Sequence, residues 1–431
     1  MRPGRNTHRR SKTTTRTPQP TRLSGNQGPR TTALPRRLRG GSAAPDIWAR
    51  TRVAILKGEG VIQDILIICG TRPEIIKLAP VYHALRNSGW ARPVWLHTGQ
   101  HDDMARQMLA CFDIQPDIEL SRGGDTLAQF STRCRELLDE VMASRPWSLV
   151  MVQGDTESTF LGALAGFYHR VPVAHVEAGL RTYDLARPFP EEGLRQMVSR
   201  IASFHFAPTA RASQALQAEA VPDERVFITG NTVIDAQHWV TRHRRIQRGH
   251  AGRGHLLVTA HRRENWGSDL REICYAIADV ASHHPELQIL FPVHLNPTVS
   301  KPVHAILGEL GNVHLSGPFD YLRMQQALID AWLVLTDSGG LQEEAPTFGV
   351  PLLVLRTETE RPEAIEGGCA RLAGTRRASI VKQIEDLWDD GEAYGAMARA
   401  GNPFGDGRAS DRIVDLLQGA LEGGERRREA V

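Results

Sequence analysis

Two carboxylates in this chain are placed where they could move protons on a small molecule. Asp155 follows the run Ser148 to Val152, and Glu177 follows Val171 to Val176. Both runs are short, apolar and rich in β-branched residues, which reads as strands buried in a parallel sheet. Ligands of an open α/β sheet bind in the crevice beyond the carboxyl ends of its strands, so acids at two strand ends reach one cleft. There they can act as general acid and base. Each also has a plainer reading: Asp155 as N-cap of the helix that follows, Glu177 as a structural acid paired with Arg181. A second chemistry is signalled by Asp337-Ser338-Gly339-Gly340, small residues between an apolar run and a helix start. Glycines let the backbone approach an anion and the helix dipole adds about 0.3–1 kcal/mol, so Ser338 and Gly339 suit a phosphate. The same four residues also describe an ordinary turn capped by Ser338. Glu344, on the next helical turn, either reaches a ribose diol or is a solvated helical acid. Arg72 and Arg361, each followed by proline, suit bidentate contacts with a diphosphate from two sides, and Lys77 either adds charge to that clamp or is solvated.

Such groups meet only if strands and helices bring them to one rim. From Val61 the pattern alternates: strand Ile65 to Cys69, helix Pro73 to Asn87 with proline in its first turn, strand Val94 to His97, helix Leu127 to Ala143 and strand Ser148 to Val152. It continues as helix Glu157 to Tyr168, strand Val171 to Val176, helix Glu192 to Ser203 and strand His205 to Ala207. A charged, glycine-containing run, Arg242 to Gly254, breaks the rhythm, and a second alternating set runs from His255 to Leu355. Alternating strands and helices predict parallel sheets with right-handed crossovers, hence an α/β chain of two Rossmann-like lobes. Eight strand ends carry charged or hydrogen-bonding side chains, which predicts one long polar cleft between the lobes. The expected divisions are a basic extension over 1–60, a first lobe over 61–240, a second lobe over 241–405 and a closing segment over 406–431. Its helix, Ser410 to Leu421, is placed to cross back onto the first lobe.

Composition narrows the function classes. With 431 residues, 41% of them hydrophobic, there is material for about two cores. No apolar run approaches the roughly 20 residues that span a bilayer. The cysteines (Cys69, Cys111, Cys134, Cys274, Cys369) are odd in number and scattered, which argues against a disulfide framework or a zinc knuckle and for a reducing cytoplasm. The net charge of +3 conceals an asymmetry, because Met1 to Arg52 is Arg-rich with Asp46 as its only acid. That stretch has the composition of a disordered segment; it reads as a solvated tail or a mis-assigned start, as a nucleic-acid or membrane-surface arm, or as a transit peptide. Neither G-x-G-x-x-G nor G-x-x-x-x-G-K-[ST] stands at a strand–helix junction, which disfavours a dehydrogenase or a P-loop NTPase.

A series of motifs resembles one family. GTRPEIIKLAPV (Gly70 to Val81), TGQH (Thr98 to His101), GDTEST (Gly154 to Thr159), HVEAGLRT (His175 to Thr182), PEE (Pro190 to Glu192), ITGNTVIDA (Ile228 to Ala236), HRREN (His261 to Asn265), PVHLNP (Pro292 to Pro297), LTDSGGLQEEAP (Leu335 to Pro346) and TERPEAI (Thr359 to Ile365) follow in order. From about Val61 to Gln418 the chain closely resembles the non-hydrolysing UDP-N-acetylglucosamine 2-epimerases, two-lobed enzymes of glycosyltransferase-B architecture.

The resemblance implies interconversion of UDP-GlcNAc and UDP-ManNAc without cofactor or metal, in a cytoplasmic homodimer that supplies ManNAc for cell-surface polymers, with no nucleic-acid partner. The C2 hydrogen is not α to a carbonyl, so a carboxylate of ordinary pKa about 4 cannot remove it unaided. Expulsion of UDP from C1 supplies the electron sink, giving 2-acetamidoglucal; reprotonation on the other face and return of UDP give the epimer. By resemblance Asp155, Glu177 and Glu191 are the acid and base candidates and His261 lies near the diphosphate, while Arg72, Lys77, Ser338, Gly339, Glu344 and Arg361 hold UDP. The order in which the carboxylates act stays open. Some bacterial members bind a second, activating UDP-GlcNAc, and the matching positions are Gln100, His101, Arg133, Glu191, Arg262 and His294. Gln153 stands where many relatives carry His, a position expected to tune Asp155, and glutamine carries no proton near neutral pH. His175 and His205 read as core histidines. Rival functions are action on a related UDP-2-acetamido sugar, such as a 2,3-diacetamido sugar, hydrolytic release of ManNAc, and non-catalytic nucleic-acid binding.

Overall fold

Seven parallel strands form the first sheet: β1 (Gln63–Cys69), β2 (Ala91–His97), β3 (Ile118–Glu119), β4 (Leu149–Gln153), β5 (Val173–Val176), β6 (Phe204–Ala207) and β7 (Val226–Ile228), in the order β3-β2-β1-β4-β5-β6-β7. Six more form the second: β8 (His255–Thr259), β9 (Ile289–Pro292), β10 (Val313–Ser316), β11 (Ala331–Thr336), β12 (Leu352–Val354) and β13 (Ala370–Leu372), in the order β10-β9-β8-β11-β12-β13. The structure is a computed structural model that describes residues 62–249 and 253–429. The expected basic extension therefore lies outside the described residues.

The strands form because their runs are apolar throughout. β4 and β11 are buried at every position, as parallel strands covered on both faces by helices require. Where β1 ends, Glu74 accepts from the N–H of Thr71, the N-cap of the helix Arg72–Asn87, at 2.7 Å, with Pro73 in the first turn. One core face runs continuously from Ile65, Ile67 and Leu78 of the first lobe to Val334 and Leu352 of the second. It also takes in Ile413, Val414 and Leu417 of the helix Ala409–Glu429, which packs on Arg72–Asn87.

The pattern passed over β3 and β7, which are two and three residues long and too short to show a period. The helix whose start was expected after Asp337-Ser338-Gly339-Gly340 is a six-residue α-helix, Gly339–Glu344, followed by a 3-10 turn, Ala345–Phe348. Pro346 has no N–H to continue the α ladder.

Candidate active site

Asp155 sits in the turn after β4, where Gly154 takes φ +75°, a conformation glycine adopts without strain. The cap of the helix Glu157–Tyr168 is Thr156, whose Oγ1 accepts from Thr159 N–H at 3.2 Å, not Asp155. Asp155 is instead free to pair with the guanidinium of Arg195. Arg195 lies 3.3 Å from Glu192, which is fully buried and also accepts from the backbone N–H groups of Thr182 (3.0 Å) and Tyr183 (3.1 Å) and from Gln196 Nε2 (2.8 Å). Burial pushes the Glu192 carboxyl up, but these donors outweigh it and hold it below its usual value. The side chain of the neighbouring Glu191 makes no hydrogen bond or ion pair among the described residues.

Glu177 follows β5 at φ +61°, an unusual conformation for a residue with a Cβ. Its carboxylate accepts from Lys77 Nζ and Gln153 Nε2, and from Asn231 Nδ2 at 3.2 Å. Burial raises its carboxyl above the ordinary value. Gln153, the last residue of β4, thus holds Glu177, and no hydrogen bond joins its side chain to Asp155 among the described residues. Arg181 pairs with Glu219 at 2.6 Å, so the structural reading of Glu177 through Arg181 is not realised.

Lys77 and Asn231 carry this cluster into the second lobe. Lys77 Nζ lies 3.7 Å from Glu343 Oε2 and Asn231 Nδ2 donates to the same oxygen at 3.1 Å, while Arg361 Nε pairs with Oε1. Burial would lower the Lys77 ammonium, but Glu177 and Glu343 outweigh it and keep it raised and charged. Burial likewise pushes Glu343 up, and Arg361 and Lys77 more than reverse that, leaving its carboxyl low.

On the second lobe Asp337, directly after β11, is fully buried. Its Oδ2 accepts from the backbone N–H of His261 (2.9 Å) and Arg262 (2.8 Å) and from Asn265 Nδ2 (3.0 Å). Oδ1 lies 3.4 Å from His261 Nδ1, and the His261 ring stacks with that of His294 at 6.3 Å between centroids. Ser338 occupies the N-cap position of Gly339–Glu344 but its side chain makes no capping bond. At Gly339 an added Cβ would stand 3.6 Å from Arg262 Nη2 and 4.0 Å from Arg361 Cζ, so two guanidinium groups converge on this backbone. That is the arrangement a phosphate needs. Glu344 accepts from Gln325 Nε2 at 2.5 Å, and burial lifts its carboxyl to about 7. Arg72 makes no ion pair among the described residues; its charge acts on Glu344.

The fold therefore gathers Lys77, Glu177 and Arg361 into one network, joins Asp155 to the same first-lobe rim, and sets His261, Arg262, Gly339 and His294 together on the second. Two of the remaining candidates are engaged elsewhere: Gln100 accepts from Ser158 Oγ at 2.6 Å, and Arg133 pairs with Glu136 at 3.1 Å. His101 is exposed. Sequence reasoning missed Glu74, whose carboxylate accepts from the N–H of Gly70 and Thr71 and from Thr156 and Thr159 Oγ1, all at 2.6–2.8 Å. It fixes the β1 and β4 loops against each other, and burial raises its carboxyl despite these bonds. Gly70 allows the approach: a Cβ there would fall 2.1 Å from Thr98 Oγ1. Arg195, Asn231, Asp337 and Glu343 were also missed. The N-cap signal at Asn231 was readable; the burial that decides the others was not. No group of three His, Cys, Asp or Glu among the described residues could hold a metal ion, and no described helix is long and apolar enough to cross a membrane.

Comparison with known proteins agrees with this geometry. A family model for UDP-N-acetylglucosamine 2-epimerase matches residues 83–418. A UDP-N-acetylglucosamine 2-epimerase of Yersinia pestis is 46% identical over 368 residues, 82% of this chain and 98% of that protein. One from Escherichia coli K12 is 45% identical over 370 residues, with the same shares. The crystal structure of the UDP-GlcNAc 2-epimerase of Neisseria meningitidis bound to UDP-GlcNAc superposes with a TM-score of 0.75 at 38% identity, covering 83% of this chain and all of that one. With a matched family model across most of its length and relatives this similar, the chain belongs to the UDP-N-acetylglucosamine 2-epimerase family.

Proposed function

We propose that the chain epimerises UDP-GlcNAc at C2 to UDP-ManNAc, without hydrolysis, by elimination of UDP and its re-addition. The observation that carries the reading is the bridge across the cleft: Lys77 touches Glu177 on one lobe and Glu343 on the other, and Glu343 holds Arg361. Acid–base carboxylates and anion-binding cations are thereby fixed in one place, as a reaction that expels a diphosphate and moves a C2 proton requires. Lys77, Arg72, Arg361, Ser338 and the Gly339 backbone hold the diphosphate. As the C1–O bond breaks, they take up the charge that develops on UDP and keep it beside the glucal. Asp155 and Glu177 face the sugar, and a carboxyl raised by burial, as in Glu177, is a stronger base than an exposed one. Glu344 hydrogen-bonds the ribose.

The proposal includes a cytoplasmic homodimer acting in cell-surface polymer synthesis. A regulatory second nucleotide would draw on Gln100, His101, Arg133, Glu191, Arg262 and His294; His294 stacks on His261, and the exposed Arg133–Glu136 pair costs little to exchange. Incubation with UDP-GlcNAc in heavy water, followed by proton NMR, tests the route. Deuterium at C2 of both epimers, with no free ManNAc, is the expected result; UDP-ManNAc that keeps its C2 proton rules out elimination.

A further inference from the structure

Glu343 has no task in the chemistry above, yet it stands at its centre. Its side chain is 3% exposed; Arg361 Nε holds one oxygen, Asn231 Nδ2 holds the other at 3.1 Å, and Lys77 Nζ lies 3.7 Å away. Asn402 Nδ2 donates to its backbone oxygen at 2.8 Å and fixes the main chain. The two cations around Glu343 are those assigned to the diphosphate. Every charged neighbour enters the balance: Lys77 and Arg361 face Glu177 and Glu343, Glu360 lies 3.9 Å from Arg361, and Glu344, under the charge of Arg72, is next in the helix. A diphosphate that engages Lys77 and Arg361 adds negative charge to a buried quartet that is already neutral. Like charges in a low-dielectric site repel far more strongly than in water, so the addition needs compensation.

We propose that Glu343 is the carboxylate that the substrate diphosphate displaces from Arg361 and Lys77, and that Glu343 binds a proton as it is displaced. The inference rests on the UDP-GlcNAc reading. Glu343 is the group best suited to the exchange. Burial pushes its carboxyl up, and Arg361 and Lys77 alone among its neighbours are cations that hold it down. Asn231, the partner that remains, is a neutral donor that bonds a carboxylic acid as well as a carboxylate. Glu177, by contrast, keeps both Gln153 and Asn231 when Lys77 turns to phosphate. The proton has a consequence for the reaction: Lys77, Arg361 and Glu177 together then present a net positive charge to the leaving UDP.

The test is calorimetric titration of the full chain with UDP-GlcNAc at pH 7.5 in buffers of different ionisation enthalpy. Both phosphates of this ligand are esterified and do not titrate near that pH, and epimerisation neither takes up nor releases a proton, so its heat does not alter the buffer dependence. We expect uptake of about one proton per nucleotide, and affinity that weakens by up to about tenfold per pH unit above neutrality. Glu343→Gln should abolish the buffer dependence while UDP-GlcNAc still binds, and Glu344→Gln should retain it. Binding without proton uptake overturns the inference and leaves the substrate reading standing, as does uptake that survives Glu343→Gln and is lost in Glu344→Gln. If Glu343→Gln does not fold, a flat affinity profile of the unaltered chain above neutrality overturns it instead. Absence of binding in every buffer overturns the substrate reading and this inference together.

Discussion

Asp155 and Asp337 occupy like places in two sheets of like order, each just past the strand that flanks its sheet's first, β4 beside β1 and β11 beside β8. Their surroundings differ. Asp155 is 24% exposed and answers to one guanidinium, whereas Asp337 is sealed from solvent and accepts from two backbone N–H groups and one side-chain amide. The first lobe leaves its acid partly open to solvent, as the proposed role requires; the second commits an equivalent acid to the shape of the loop that carries His261 and Arg262. A repeated topology thus leaves an accessible acid on one side and a rigidly held one on the other.

The largest test of this contrast is kinetic. Asp155→Asn should lower kcat by on the order of 10²–10⁴-fold while the unfolding midpoint hardly moves; coupled assays and denaturant melts measure the two. Asp337→Ala should do the reverse in kind, costing roughly 3 kcal/mol of stability because three buried donors lose their acceptor. If Asp337→Ala instead loses activity at unchanged stability, the division of labour fails. A smaller effect belongs to Glu344, whose carboxyl is lifted from 4.5 to about 7. Between those values the folded chain holds a proton that the unfolded chain has lost, so this group's contribution to stability falls as pH rises through that window. Glu344→Gln should flatten that fall in melts run from acid to neutral pH. Smallest is Arg211→Ala. Its pairing with Glu366 at 2.6 Å also joins the lobes, but both side chains are more than half exposed. Its loss should cost no more than about 1 kcal/mol in a denaturant melt.

The sheets were legible because buried parallel strands are written as unbroken apolar runs; Leu127 to Ala143 and Glu157 to Tyr168 match their helices end to end. The strand ends named the rim for the same reason. Finer choices were not legible. In Glu191-Glu192 two acids stand side by side, and only the helix phase set by tertiary packing decides which turns inward; Glu343 and Glu344 both turn inward, to different partners. Gln153 was noticed, but its partner depends on the β4–β5 register, Gln153 opposite Val176, with Glu177 next along the chain. The Lys77 bridge joins residues 100 and 266 positions distant along the chain, and no local pattern encodes it.

The helix Ala409–Glu429 gives the chain a particular seam. After building the second sheet, the polypeptide returns: Asp235 accepts from Ser410 N–H at 2.7 Å, Asn231 N–H donates to Phe404 at 2.7 Å, and Ile413 and Leu417 complete the first core. The second lobe is thus an insert with both ends stitched to its host. Anyone grafting a different second half onto this scaffold must cut twice, once near residue 250 and again near 402. A single cut would strip the recipient of the helix that roofs its own interior.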